Sequence, residues 1–180
     1  DGTQLASASF DGTVKLWNMS SGDYRQTFVG HTDRVTKVAW SSDGYTLASC
    51  SFDHTICLWD VKEGKSRAIL HGHRSLIHTI AFTPDGRTLL SGSEDSTIRV
   101  WDVHSGQCLR IIGGYTASLE DIDWSPDGTQ LASCGADALM VIWSGANMAS
   151  PVALRATHRW TVRGVAWSPD GKLLASSGYD

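Results

Sequence analysis

Hydrophobic residues in this chain fall in short β-branched and aromatic runs, and each run stops at a turn signal. Arg34 to Ser41 carries Val, Thr, Ala and Trp, the composition of a strand. Ser42-Asp43-Gly44 then turns the chain, and equivalent points read Ser-Pro-Asp-Gly at 125–128 and 168–171. Proline at the second turn position and glycine at the fourth suit a type I turn that closes a hairpin with a glycine bulge. Tyr45 to Ser51 predicts a second strand, Thr55 to Asp60 a third, and Lys65 to Leu70 a fourth after Glu63-Gly64. The unit is a four-stranded antiparallel meander. No window sustains a helical period, so the predicted fold class is all-β.

The unit repeats. Trp17, Trp59, Trp101 and Trp143 are 42 residues apart, and Asp11, Asp53, Asp95 and Asp137 keep step with them. Asp-Gly pairs recur as Asp1-Gly2, Asp43-Gly44, Asp85-Gly86 and Asp127-Gly128, then as Asp170-Gly171 after one inserted residue. A fixed period of this length marks a repeat architecture, in which each unit buries its apolar surface only against its neighbours. Strict alternation along the strands is poor, because runs such as Ile56-Cys57-Leu58-Trp59 put apolar groups on both faces. That is the pattern of a small sheet sandwiched between two others. Radial stacking of four-stranded blades satisfies it: the expected architecture is a β-propeller.

The repeated residues resemble the WD-repeat β-propeller family, whose signature is a Gly-His pair, an Asp at a tight turn and a terminal Trp-Asp. Gly30-His31 with Asp53 and Trp59-Asp60 match it, as do Gly72-His73 with Asp95 and Trp101-Asp102. The third unit departs from it, with Gly114-Tyr115 and Trp143-Ser144 around Asp137, and the fourth keeps His158 after Thr157. The resemblance implies a buried hydrogen-bonded network of His, strand Ser, turn Asp and Trp. Carried over, the sets are His31, Ser49, Asp53, Trp59 and His73, Ser91, Asp95, Trp101. Partial sets are Ser7, Asp11, Trp17, then Ser133, Asp137, Trp143 without a His, then His158, Ser176, Asp180. A buried indole N–H needs an acceptor, and a chain of hydrogen bonds in a low dielectric fixes the loop beside the sheet.

Ser, His and Asp together also invite a hydrolase reading. A nucleophile must be exposed and singular, whereas this trio recurs in unit after unit with each Ser in mid-strand, so the expectation is a structural network and no enzyme. An enzyme on such a frame would need a polar constellation unique to one blade around the central channel, and none is visible in the sequence. No cofactor and no metal are implied: His71, His73 and His78 attract no Cys or acidic ligand, and the four cysteines form no ligand spacing. Cys50, Cys57, Cys108 and Cys134 read as small buried hydrophobes in a reducing, cytoplasmic compartment. A net charge of −4 with scattered basic residues argues against nucleic acid, and no stretch is apolar for long enough to span a bilayer.

Residues 1–180 form one expected repeat region, with blade parts 1–30, 31–72, 73–114, 115–158 and 159–180. The chain starts inside a repeat without an initiator Met and reads as an excerpt of a longer protein. The resemblance implies about seven blades, within the usual range of roughly four to eight. An arc of this length would leave two apolar blade faces in water. Either the remaining blades lie in missing sequence, or two copies close head-to-tail, since the register of 170–180 repeats that of 1–11.

In this topology the loops joining strands two to three and four to one share one rim, the top face, where the family meets its partners. The residues ahead of the turn Asp read Phe10, Phe52, Glu94, Ala136 and Tyr179. Those opening each first strand pair Arg34 with Thr36, Leu76 with His78, Ser118 with Glu120 and Thr161 with Arg163. Three of the first five are aromatic, a type that anchors interfaces, and the charges of the second series vary in sign. The predicted function is a non-catalytic scaffold that binds a protein or peptide through this face. A regulatory or sensor module of a longer multidomain protein is the alternative.

Overall fold

The computed structural model describes residues 2–144, 148, 150–154 and 158–180; Asp1 of the first Asp-Gly pair and Thr157 ahead of His158 lie outside the described residues. Every element among them is a strand. The first sheet holds β1 (Gln4–Ala8), β2 (Thr13–Asn18) and β3 (Tyr24–Val29). The second holds β4 (Val35–Trp40), β5 (Thr46–Ser51), β6 (Thr55–Asp60) and β7 (Lys65–His71). The third holds β8 (Ile77–Phe82), β9 (Thr88–Ser93), β10 (Ile98–Asp102) and β11 (Cys108–Ile112). The fourth holds β12 (Leu119–Trp124), β13 (Gln130–Gly135), β14 (Met140–Ser144) and β15 (Ser150–Leu154). The fifth holds β16 (Val162–Trp167) and β17 (Leu174–Gly178). Strands within each sheet pair antiparallel in chain order, the meander that the turn signals predict.

The turns explain why the strands begin and end where they do. Gly44 takes φ +73° and its N–H donates to the Ser41 carbonyl at 2.9 Å, closing the β4–β5 hairpin. That left-handed conformation favours glycine at this corner. The Ser41 hydroxyl donates to Asp43 at 2.6 Å, and Thr83–Asp85, Ser125–Asp127 and Ser168–Asp170 repeat the bond at 2.6 Å. These hydroxyls, with backbone N–H groups, hold the four turn carboxyls below their ordinary range.

The apolar core is not inside any sheet. It is divided into four clusters, each lying between two sheets. Within β6, Ile56 and Leu58 pack against the third sheet, while Cys57 and Trp59 pack against the first. β9 splits in the same way, Leu89 toward the second sheet and Leu90 toward the fourth. The unbroken apolar runs in the sequence are thus period-two strands with both faces covered. Full burial of each Leu or Ile contributes roughly 1.5–3 kcal/mol, so a sheet without its neighbour loses most of what stabilises it. Among the described residues the first and fifth sheets each pack on one neighbour, leaving an open arc with Leu5, Tyr24 and Leu173 exposed near its ends.

The first strands β4, β8, β12 and β16 lie side by side along the inner edge of the arc. Each contains a bulge, at Thr36, His78, Glu120 and Arg163. A bulge adds one residue and re-aims the side chains beside it.

Candidate functional site

Two side-chain systems recur with the blades: a buried relay within each sheet and an exposed set of residues on the rim above it. In the second sheet the Trp59 indole N–H donates to Ser49 Oγ at 2.8 Å. Ser49 Oγ lies 2.8 Å from His31 Nε2, and His31 Nδ1 lies 2.8 Å from Asp53 Oδ2. The Asp53 carboxylate can only accept, so Nδ1 carries the proton there; Nε2 then accepts from the Ser49 hydroxyl, whose oxygen receives the indole N–H. Asp53 also accepts from Thr32 N–H, Thr55 N–H and the Thr55 hydroxyl, which ties the loop before β4 to the turn between β5 and β6. The third sheet repeats the relay with Trp101, Ser91, His73 and Asp95 at 2.8, 2.6 and 2.8 Å.

The glycine before each His makes room for the ring of the Trp. A Cβ on Gly30 would sit 2.9 Å from Trp59 Cη2, and one on Gly72 would sit 3.3 Å from Trp101 Cη2. Ser49 and Ser91 are wholly buried, and their oxygens are engaged by the indoles. No substrate carbonyl reaches such a hydroxyl. Burial lowers the His73 pKa, against the opposing pull of Asp95. Burial pushes the Asp95 carboxyl up, but hydrogen bonds from Thr97, Arg74 N–H and His73 outweigh it and hold the group at about 2.

The fourth sheet departs from the expected set. In place of a missing His, Tyr115 enters: its hydroxyl lies 2.7 Å from Ser133 Oγ and accepts the Trp143 indole N–H at 2.8 Å, while Trp143 also reaches Ser133 at 3.0 Å. The ring of Tyr115 stops at the serine, so Asp137 is held instead by the Thr116 hydroxyl and Leu139 N–H. The signal was present in the sequence, because Tyr115 stands at the register of His31 and His73. In the first sheet Trp17 donates to Ser7 at 2.8 Å and Asp11 holds Thr13. In the fifth, His158 bridges Ser176 at 2.9 Å and Asp180 at 2.6 Å.

On the rim, the bulges carry one member of each predicted pair: Thr36, His78, Glu120 and Arg163. Phe52 N–H donates to the Arg34 carbonyl at 2.9 Å, locking the two rim series together. The Arg34 guanidinium stands over the Phe10 ring at 5.1 Å and over Phe52 at 5.9 Å. Phe10 and Phe52 are 6.5 Å apart, and Phe52 meets His78 edge-on at 5.6 Å. These four side chains form one strip across three sheets, with Phe10 and Arg34 exposed and Phe52 and His78 half-buried. Toward the other end Arg163 donates to Glu120 at 2.6 Å and stands 5.5 Å over Tyr179, while Glu94 accepts from the Ser75 hydroxyl at 2.6 Å.

Other rim residues are turned to the frame. Thr36 donates to the Ile77 carbonyl at 2.7 Å, and the Ser118 hydroxyl is buried without a partner. The carbonyls of Leu76 and Thr161 accept from Glu94 N–H and Tyr179 N–H. Ala136 is exposed and offers only a methyl group.

Two expectations need correction. Cys108 is exposed on the edge strand β11, whereas Cys50, Cys57 and Cys134 are buried free thiols whose pKa values burial raises to about 12. A polar constellation does line the inner edge. Lys37 donates to Asp121 at 2.5 Å and to Thr79 at 3.1 Å, and Thr79 donates to the same Asp121 oxygen at 2.9 Å. The other Asp121 oxygen accepts Val165 N–H at 3.2 Å, so four sheets are joined through three side chains. Both of its carboxylate oxygens are engaged by the frame, which makes it a clamp. Among the described residues no three His, Cys, Asp or Glu converge on a metal site, and no helix is long and apolar enough to cross a membrane.

Small antiparallel sheets, each covered only by its neighbours and two of them held by a full Trp–Ser–His–Asp relay, define a repeat protein of propeller blades. The sequence profile of the WD domain, G-beta repeat matches residues 1–18, 22–60, 64–102, 106–144 and 150–180, and the chain belongs to that family. Every matched segment after 1–18 straddles two sheets: 22–60 takes β3 from the first sheet and β4, β5 and β6 from the second. The sheets are thus linked by the repeat itself. A 40-residue stretch, 22% of the chain, is 45% identical to coronin-7 of Mus musculus and covers 4% of that protein. Over 40 residues the chain is 42% identical to a lissencephaly-1 homolog of Monosiga brevicollis, covering 10% of it. The corresponding figures for the human F-box-like/WD repeat-containing protein TBL1Y are 50% and 8%. These matched stretches span a tenth or less of the relatives' own length. WD-repeat domains generally bind proteins or peptides and are typically non-catalytic.

Proposed function

We propose that this chain is a non-catalytic scaffold whose top face docks a protein or peptide. The observation that carries the reading is the strip of Phe10, Arg34, Phe52 and His78. Aromatic and guanidinium groups held at loop tips on a rigid frame are the residues that anchor interfaces. We take residues 1–180 as one WD-repeat region, with the rim residues as its contact set and the buried relays as its frame. Three buried free thiols suit a reducing compartment such as the cytoplasm.

A random peptide library displayed on phage and panned on the chain tests the proposal. Enriched peptides should lose binding to the Phe52→Ala chain while its circular dichroism stays unchanged. Peptides insensitive to Phe52→Ala and Phe10→Ala, yet lost with Tyr45→Ala in the hairpin turn between β4 and β5, would move the interface to the opposite rim. Because the relatives are much longer than the matched segment, membership in a longer multidomain protein is the second reading. In that setting the scaffold would localise or regulate a domain elsewhere in the same protein.

A further inference from the structure

Resting on the top-face reading, we infer that the partner brings an anionic side chain, a carboxylate or a phosphate, to Arg34, set within an apolar peptide segment. Arg34 and Arg163, the two cations of the predicted contact set, differ in what already occupies them. Arg163 is ion-paired with Glu120, whose side chain is 8% exposed, and is stacked on Tyr179. Arg34 is stacked on two phenyl rings, and no carboxylate among the described residues pairs with its guanidinium. Its nearest acid in sequence, Asp33, is directed to the backbone, where Oδ1 accepts Arg34 N–H at 2.7 Å.

Stacking leaves the in-plane N–H fork of a guanidinium open, and that fork fits carboxylate and phosphate oxygens two at a time. Aromatic rings beneath it strip part of its hydration, so an incoming anion meets a cation with less water to displace. The alternative ligand for such a strip is a cation seated on the rings. Phe10 and Phe52 already hold Arg34, so a lysine would meet both an occupied ring pair and a like charge. The exposed ring of Phe10 remains for apolar residues beside the anion, while Phe52 is held between Arg34 and His78.

The probes are four pools of short fluorescent peptides with the same degenerate apolar flanks and Glu, phosphoserine, Gln or Lys fixed at the centre. Binding to the full chain is read by fluorescence polarisation. The Glu or phosphoserine pool should bind at least about tenfold tighter than the Gln pool, the Lys pool should bind weakest, and added salt should shrink the gap. The stronger of the two acidic pools identifies the carboxylate or the phosphate as the source. Arg34→Gln should abolish the preference with an unchanged melting curve, and Arg34→Lys should retain part of it. Equal binding of the Gln and acidic pools, no binding by any pool, or a preference that survives Arg34→Gln each overturns the inference. If the Gln pool binds as well as the acidic pools and Phe52→Ala removes that binding, the anion inference falls while the top-face reading stands. A preference that survives both Arg34→Gln and Phe52→Ala sinks both.

Discussion

The second and third sheets solve the same problem as the fourth with different chemistry. In the former an imidazole passes the hydrogen bond from the Trp59 or Trp101 side to a turn aspartate, so sheet, loop and turn are held as one unit. In the fourth, the Tyr115 hydroxyl satisfies Trp143 and Ser133 but does not reach Asp137, which the Thr116 hydroxyl and Leu139 N–H hold instead. A Cβ on Gly114 would meet nothing within 4 Å, where Gly30 and Gly72 are pressed against a Trp ring. The indole N–H of Trp59, Trp101 and Trp143 is satisfied in each case, and passage of the relay through an imidazole to the turn is optional. Burial of the Trp is the fixed requirement, and the relay beyond it can be shortened.

The largest expected effect comes from the shared element. Trp59→Ala should destabilise the chain by about 3–5 kcal/mol in denaturant melts, because it empties a cluster between two sheets and removes the indole donor to Ser49. Next comes the contrast itself. His73→Leu leaves the Ser91 hydroxyl without its acceptor and takes one donor from Asp95, at about 2–3 kcal/mol, whereas Tyr115→Phe should cost about half as much because Ser133 still accepts from Trp143 and donates to the Val141 carbonyl. Equal losses would erase the distinction between the two solutions.

Acid should separate the same sheets. The folded His73 pKa lies below 6.5, so its contribution is complete above pH 6.5 and drains as the pH falls from there. Asp95, at about 2 against an ordinary 3.8, contributes fully above about pH 4 and is lost as the pH falls toward 2. Tyr115 is shifted upward by burial and stays neutral throughout. Amide protection factors should therefore fall first in β8 to β11 on acidification from pH 7 to 5, with β12 to β15 lagging. The smallest effect belongs to the rim: Phe52→Ala should change stability by less than about 1 kcal/mol, since its ring is half-buried and its aromatic and cation contacts are with the rim side chains Phe10, Arg34 and His78.

Much of this was legible in the chain. Turn chemistry at 41–44 and the β-branched runs mark the strands to within a residue or two, and the 42-residue period gives the stacking. The buried relay was reachable through the family resemblance. Tyr115 was visible in register, but a hydroxyl replacing an imidazole is a substitution of geometry that no residue pattern announces. Lys37, Thr79 and Asp121 escaped for a different reason. They occupy one register but differ in type, and only the side-by-side first strands reveal that they touch. The exposure of Cys108 follows from its place at the start of an outer strand, where composition says nothing.

The central claim is that a neutral imidazole relays the hydrogen bond from tryptophan to aspartate. Nitrogen-15 NMR of the His73 ring at pH 7 tests it most directly. The account predicts a proton on Nδ1 facing Asp95 and a bare Nε2 accepting from Ser91. A proton on Nε2 would reverse the hydrogen-bond chain, leave the Trp101 indole competing for the serine oxygen, and contradict the account.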